Sequence, residues 1–266
     1  MSNVIDKLNS APKFKVTNII YIVLLIAALA FCMYDIGFEQ IKTNPLPVIN
    51  LIVKGFINPD FDFLLDTSSA GLIFLVLQTI AISFLGTIIG ALIALPLSFL
   101  ASYNVTNKVV SNIATGIVTF IRTIPFLVFA IVFIKIVGPG AFCGVLTIAV
   151  TSIGMLSKMF IEAIEEVEAG LLESGESIGL NLWHKCRYIL FPQLLSNFIS
   201  TIIYRFDINI KNSTIIGIIG AGGIGTEINN AISANNWSKF AMIMYVMIII
   251  FLIIDYVSTK IRKRLV

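Results

Sequence analysis

Among the ionisable residues inside or at the edges of long apolar runs of the sequence, four are candidates for chemistry. They are Arg122, Arg205, Asp207 and Lys211. A charge inside a membrane span costs about 3 kcal/mol or more unless it is paired or faces water, so such residues are functional candidates. Asp207 and Lys211 are four residues apart and can pair on one helical face. Both arginines are then left without a partner in their own helices, and a free positive charge there is able to hold an anion.

A second interpretation of the two arginines is structural. Arg122 and Arg205 could lie near the membrane boundary, extend to it or bind lipid phosphate, and only hold their helices in register. The sequence leaves both interpretations open.

Metal and covalent chemistry are not supported by the remaining reactive residues. Cys32, Cys143 and Cys186 are far apart, and none forms a ligand set with the only histidine, His184. No serine or cysteine is paired with His184 by the sequence, as nucleophilic catalysis would require. We therefore predict no metal, no disulfide, no cofactor and no catalytic residue, and hence no enzyme.

A glycine cluster also carries a potential motif. Gly220, Gly222 and Gly225 satisfy G-x-G-x-x-G, which in a βαβ unit marks a dinucleotide site. The required strand and the acid about 20 residues later are missing, since the next acid after Glu227 is Asp255. We predict instead that these glycines, with Gly223, break a membrane helix where the backbone lines a cavity.

The composition indicates that membrane-spanning helices position these residues. Of 266 residues, 58% are apolar and only 12% are charged, and the mean hydropathy is +0.97. These values indicate an integral membrane protein and exclude a soluble enzyme with a large catalytic domain. The net charge of +3 does not indicate nucleic acid as a partner. The expected fold is all-α and polytopic.

Six spans of about 20 apolar residues are predicted. The loops before the first span, at 100–110, at 158–190 and after the last span hold 11 lysines and arginines, against 3 in the alternate loops. The positive-inside rule then places both termini and the 158–190 loop in the cytoplasm. The first span resembles a signal peptide, but its apolar run continues, so we expect an uncleaved anchor. The spans lie near residues 16–38, 71–99, 111–136, 141–160, 194–219 and 239–259.

Two domains follow from this pattern. Residues 1–69 form an anchor helix and an external loop, which is partly irregular because of its prolines. Residues 70–266 form the main transmembrane domain. Pro96, near the end of the second span, predicts a kink or a stop there.

The 158–190 loop predicts two short amphipathic helices. The first ends at Gly179, because glycine readily adopts the left-handed conformation that closes a helix. The second has Leu182, Cys186 and Ile189 on one face and stops before Pro192. So small a pair cannot bury its own apolar face and needs a partner surface. The alternative is that it only packs against the ends of the spans.

This loop is similar to a signature of ABC importer permeases. Glu173, Gly179, Ile189 and Pro192 have the spacing of E-A-A-x3-G-x9-I-x-L-P, while Ser174, Gly175 and Phe191 depart from it. The resemblance implies a type I ABC importer permease fold whose cytoplasmic coupling helix docks on an ATPase subunit. Gly175 lowers helix propensity by about 1 kcal/mol relative to alanine, so we expect this helix to order on docking. No G-x4-G-K-[ST] motif occurs, so the ATPase is a partner.

The fifth span indicates which type of ABC importer permease the chain resembles. Its run from Tyr204 through Asn209 to Thr214, followed by the glycines, is similar to the phosphonate importer permeases, with Asp207 and Lys211 where glutamate and arginine are expected. This resemblance implies a homodimer in the bacterial cytoplasmic membrane, in contact with lipid, that works with an extracytoplasmic substrate-binding protein. Permeases for methionine and osmoprotectants are similar, and a channel is a further alternative. The implied translocation path is Arg122, Arg205, Asp207, Asn209 and Lys211, and the implied outer gate is Gly220, Gly222, Gly223 and Gly225.

Overall fold

A computed structural model describes residues 16–35, 46–66, 68 and 71–265 of the chain. Within these residues every regular element is helical, which confirms the predicted all-α class. The chain divides into two compact units, and the division falls between Asn50 and Leu51.

The first unit contains the helix α1 (Val16–Asp35) and the start of α2 (Leu46–Ile57). Helix α1 has no charged residue before Asp35, as expected for an anchor. The predicted span continued to residue 38, and its last three residues lie outside the described part of the chain.

The second unit is built around two long helices, α4 (Leu72–Ala101) and α7 (Ala141–Glu165). Small residues bring these helices into close contact. A Cβ at Gly86 would lie 2.7 Å from the Ile148 Cβ, and one at Gly90 would lie 2.6 Å from the Ser152 Cβ. Close backbone approach at small residues is the usual way for membrane helices to pack, because lipid supplies little hydrophobic driving force.

The predicted third span is two helices rather than one. Helix α5 (Lys108–Thr123) and helix α6 (Phe126–Val137) meet at an angle of 85°. Ile124 between them has extended backbone angles, because the residue before a proline is disfavoured in the α conformation. The predicted span over 111–136 is therefore not one continuous helix, and Pro125 explains the break.

Prolines at two other positions leave their helices unbroken. Pro96 lies inside α4, so the predicted stop there is wrong. Pro192 lies in the first turn of α10 (Phe191–Ile218), where a missing N–H is tolerated. Before it, α9 (Leu182–Lys185) leads into a π-helical segment (Cys186–Leu190), in which the Phe191 N–H donates to the Cys186 carbonyl. The predicted end of the second loop helix before Pro192 is therefore wrong.

The remaining helices are α3 (Phe61–Leu65), α8 (Ala169–Ser177), α11 (Ile224–Ser233) and α12 (Trp237–Leu265). Three described helices, α4, α7 and α12, are long and apolar enough to cross a membrane, and the bent pair α5 and α6 would make a fourth span. Helix α10 has 28 residues but carries the charged segment, which lowers its hydropathy.

Part of the predicted external loop belongs to the second unit, which begins at Leu51. A Cβ at Gly55 would lie 2.6 Å from the Trp237 Cβ, and the Phe56 ring lies 5.7 Å from the Tyr245 ring. Asp60 caps α3, and its own N–H donates to the Ser238 carbonyl at 3.2 Å. Residues 51–66 therefore belong with the transmembrane helices, whereas the predicted division lay at residue 69.

Candidate functional site

The residues from 169 to 192 form a compact helical segment, which we call the 169–192 segment. Gly179 has φ +77° and the Leu180 N–H donates to the Gly175 carbonyl at 3.0 Å. This is the Schellman arrangement that closes a helix with a left-handed residue, so the prediction for Gly179 is confirmed.

Gly175 brings the two halves of this segment together. A Cβ there would lie 2.6 Å from the Ile189 Cδ1 and 3.3 Å from the Lys185 Cγ. The departure from alanine at this position therefore has a structural reason, because α8 packs directly on the π-helical segment. Helix α8 is formed in the structure, and the expectation that it orders on docking stays a prediction.

One face of the 169–192 segment is packed and the other is exposed. Leu172 and Cys186 pack against a core cluster that includes Phe160 and Phe198. Burial raises the pKa of the Cys186 thiol, while the charge of Lys185 acts in the opposite direction. Glu173 and Ser174 are exposed, together with several large apolar side chains, a pattern typical of an interaction surface. These side chains are Ile178, Leu182, Trp183 and Tyr188.

The charged segment lies in α10, which packs against α4, α7, α11 and α12. Asp207 is 6% exposed and its Oδ2 lies 2.9 Å from the Lys211 Nζ, so the predicted pair forms. The Lys211 side chain is 47% exposed, which lets its ammonium keep contact with the surroundings. This pair leaves no net charge at its position.

Arg205 is different, because it is buried without an ion pair. Its residue is 8% exposed, and its Nε is fully buried with no hydrogen-bond partner. Among the residues that the structure describes, no carboxylate forms an ion pair with it. A buried charge without a partner is costly, so the described chain leaves this guanidinium in need of an anion or of water.

Arg122 lies elsewhere, in the last turn of α5 beside the break at Pro125. It is exposed, and its aliphatic part packs over Gly154 of α7, where a Cβ would lie 2.9 Å from the Arg122 Cγ. The two arginines that the sequence treats alike therefore have different environments.

Asn209 connects three helices. It is fully buried, and its Nδ2 donates to the Thr87 Oγ1 of α4 and to the Ser152 Oγ of α7, each at 2.8 Å. The Ser83 hydroxyl of α4 donates to its carbonyl at 3.2 Å. The sequence analysis missed these partners, although hydroxyl residues recur every fourth position in α4.

The glycine turn, residues 219–223, separates α10 from α11 as predicted. Gly220, Gly222 and Gly223 have φ between +75° and +104°, which favours glycine. Gly225 lies in α11 against α10, since a Cβ there would be 2.7 Å from the Gly217 Cα. The Gly140 N–H, from the turn between α6 and α7, donates to the Gly220 carbonyl at 2.9 Å.

Side chains of α4 already satisfy amides at this turn. The Gly223 N–H donates to the Gln78 Oε1 at 3.1 Å, and the Ile224 N–H donates to the Thr79 Oγ1 at 2.8 Å. The Gly220 and Ala221 amides donate to carbonyls at the end of α10. These four amides of the turn are therefore not free to bind an anion.

A bundle of apolar helices, several of them long enough to cross a membrane, is the architecture of a polytopic membrane protein. The chain belongs to the family of binding-protein-dependent transport system inner membrane components, whose model matches residues 94–266. As the resemblance in the sequence implies, the members of this family are transport permeases rather than enzymes.

Two relatives resemble the chain in sequence, and one solved structure resembles it in fold. It is 35% identical to the phosphate-import permease of Mycolicibacterium smegmatis over 72% of this chain, and the matched region covers 36% of that protein. It is 31% identical to the phosphite transport system permease of Stutzerimonas stutzeri over 88% of this chain and 84% of that protein. Its fold matches a chain of the inward-facing MetNI methionine ABC transporter with a TM-score of 0.64 at 20% identity, covering 73% of this chain and 96% of the other. The predicted type I importer permease fold is confirmed.

Proposed function

We propose that the chain is the permease subunit of a bacterial ABC importer that moves phosphonate or a related phosphorus oxyanion across the cytoplasmic membrane. The observation that carries this proposal is Arg205, which is buried in a membrane helix and has no ion pair among the described residues. Because Lys211 already neutralises Asp207, the segment keeps one uncompensated positive charge. A tetrahedral oxyanion suits a guanidinium, whose donors match its oxygens in pairs.

The relatives support the same substrate class. Two of them are named for the import of phosphate and of phosphite, which are both phosphorus oxyanions. The methionine transporter resembles the chain at only 20% identity, so it supports the fold and not the ligand.

The proposed partners are a cytoplasmic ATPase, an extracytoplasmic binding protein and a second copy of the chain. The exposed apolar side chains of the 169–192 segment that lie outside any cavity, Ile178 and Tyr188, supply a surface on which the ATPase docks. The excess of basic residues in alternate loops supports an orientation with this segment and both termini in the cytoplasm. The second copy completes a translocation path whose candidate lining is Arg122, Arg205, Asp207, Asn209 and Lys211, with Gly220, Gly222, Gly223 and Gly225 at an outer gate.

Reconstituted transport tests this function. The chain is incorporated into proteoliposomes with its ATPase and binding protein, and uptake of methylphosphonate, phosphite, phosphate and methionine is measured with and without ATP. We expect ATP-dependent uptake of one or more phosphorus oxyanions and none of methionine. Uptake of methionine alone would refute the substrate class, and flux that does not depend on ATP would identify a channel.

A further inference from the structure

A cavity of about 490 Å³ lies between the end of α4 and the 169–192 segment. Apolar side chains form most of its wall, among them Leu95 and Phe99 from α4 and Leu182 and Trp183 from α9. Its volume falls within the range of about 300–1,000 Å³ in which proteins bind small molecules. We call it the α4–α9 cavity.

Arg187 gives this apolar cavity a charged edge. It belongs to the lining of the cavity and is exposed. No ion pair holds it within the part of the chain that the structure describes, and none of the lining residues is acidic. An apolar cavity next to a free cation is complementary to an amphiphile that has a hydrocarbon chain and an anionic head.

The position of the cavity along α4 indicates that such an amphiphile comes from the membrane. Helix α4 has 30 residues, whereas about 20 cross the hydrocarbon core of a bilayer. The cavity is lined by α4 only from Leu95 onward, in the last two turns, so it lies at the boundary between hydrocarbon and headgroups. Trp183, which is 69% exposed at its wall, is a residue type typical of that boundary.

We propose that the α4–α9 cavity binds an anionic phospholipid of the adjacent leaflet. One acyl chain enters the cavity between Phe99 and Leu182, and the phosphate binds Arg187. Basic pockets between membrane helices recognise anionic headgroups in this way. The bound lipid joins the last turns of α4 to α9 and thereby supports the 169–192 segment. This inference depends on the membrane location of the chain and not on the transported substrate.

Tryptophan fluorescence can detect this lipid directly, because the chain has only two tryptophans. In the Trp237→Phe variant, Trp183 at the cavity wall is the only reporter. The full-length protein is placed in phosphatidylcholine nanodiscs that contain increasing fractions of brominated phosphatidylglycerol or, in parallel, brominated phosphatidylcholine. We expect quenching of Trp183 to saturate, with a half-saturating fraction about fivefold lower for the anionic lipid, as one basic contact would give.

Variants separate the headgroup contact from general lipid contact. Arg187→Gln should abolish the preference for phosphatidylglycerol and Arg187→Lys should retain it. Lys263→Gln, at the exposed end of α12, should not change it. If Trp237→Phe does not fold, the signal lost between wild type and Trp183→Phe supplies the same measurement.

Three results would overturn the proposal. Equal quenching by both lipids, rising linearly with their fraction, would mean that Trp183 meets only bulk lipid. Absence of quenching would mean that protein, either another segment of the chain or a second copy, covers the cavity. An unchanged preference in Arg187→Gln would remove Arg187 as the phosphate site.

Discussion

At the scale of single residues, the charged segment of α10 contains one contact that residue spacing predicts and others that depend on how the helices pack. The pairing of Asp207 with Lys211 is confirmed because both residues lie on one helix, four apart. The bonds from Asn209 to Thr87 and Ser152 join residues far apart in the chain, and no local pattern announces them. The burial of Arg205 likewise depends on neighbouring helices, so the sequence could not choose between an anchor at the boundary and an interior charge.

Replacing Arg205 tests whether its charge serves transport. Arg205→Gln should lower oxyanion uptake about tenfold or more, because a charge-assisted hydrogen bond contributes roughly 1.5–3 kcal/mol. Complex assembly, measured by co-purified ATPase, should change less. Arg205→Lys should retain part of the uptake, since it keeps the charge but loses the planar donors. Uptake at the wild-type rate in Arg205→Gln would make this residue an anchor.

Replacing Asp207 tests the neighbouring pair. Asp207→Asn leaves the Lys211 ammonium without its partner beside a buried amide, and we expect a loss of about 1–3 kcal/mol in stability, limited because Lys211 is half-exposed. The matched control is Glu162→Gln, which removes an exposed pair of the same i,i+4 type, with Lys158 at 3.0 Å. Exposed pairs contribute little, so thermal unfolding of the purified complex should distinguish the two variants. Equal effects would contradict a special role for burial.

At the scale of elements, three prolines have three different outcomes. Pro125 separates two helices at 85°, Pro96 lies within a continuous helix, and Pro192 begins a helix after a π-helical segment. The existence and approximate ends of the long helices could be predicted from apolar runs, and the turn at Gly179 from glycine chemistry. The path of the backbone at each proline could not, because it depends on what neighbouring helices allow.

The left-handed turn at Gly179 can be tested without disturbing packing. A Cβ there meets no atom within 4 Å, so Gly179→Val strains only the backbone, by roughly 1–3 kcal/mol. We expect weaker binding of the ATPase and lower uptake, while membrane insertion is unchanged. Gly170→Val is the control, since that glycine also has free space but lies within a helix. Normal ATPase binding and uptake in Gly179→Val would argue against docking through this segment.

The contact of α11 with α10 makes a second prediction at this scale. Gly225→Ala places a Cβ against the Thr214 carbonyl oxygen and the Gly217 backbone, which cannot move aside easily. We expect a loss of about 1–3 kcal/mol from overpacking. Gly116→Ala in α5, where no atom lies within 4 Å, should instead gain about 0.5–1 kcal/mol. Thermal midpoints of the two variants should move in opposite directions, and a stable Gly225→Ala would show that the turn adjusts freely.

At the scale of the whole molecule, the larger packed unit begins before the predicted transmembrane domain. Phe63 is buried in a cluster with Leu72 and Ile243, so the chain near residue 60 contributes to the core of the bundle. The sequence assigned this stretch to an external loop because of its acids and prolines. Asp60 and Asp66 do cap α3, but Phe63 between them packs inward.

Truncation from the start of the chain tests this boundary. A chain that begins at residue 46 keeps α2 and α3, whereas one that begins at residue 70 loses them. We expect the shorter chain to be less stable by several kcal/mol, since burial of Phe63 alone contributes about 2–3 kcal/mol. Thermal unfolding in detergent measures the difference. Equal stability would support a division at residue 69.

The uninterrupted helical path from Leu182 to Ile218 has a mechanical consequence. At 1.5 Å per residue this helical path is about 55 Å long. The 169–192 segment lies at one end of it and the glycine turn at the other. In the proposed importer, a movement that the ATPase imposes on the first end would be transmitted along this one helical path to the glycine turn. The length of the π-helical segment sets the orientation of Arg205 about the helix axis. Each residue added or removed there would turn Arg205 about 100° around this axis. The five residues Cys186–Leu190 therefore fix the direction in which Arg205 faces relative to α9.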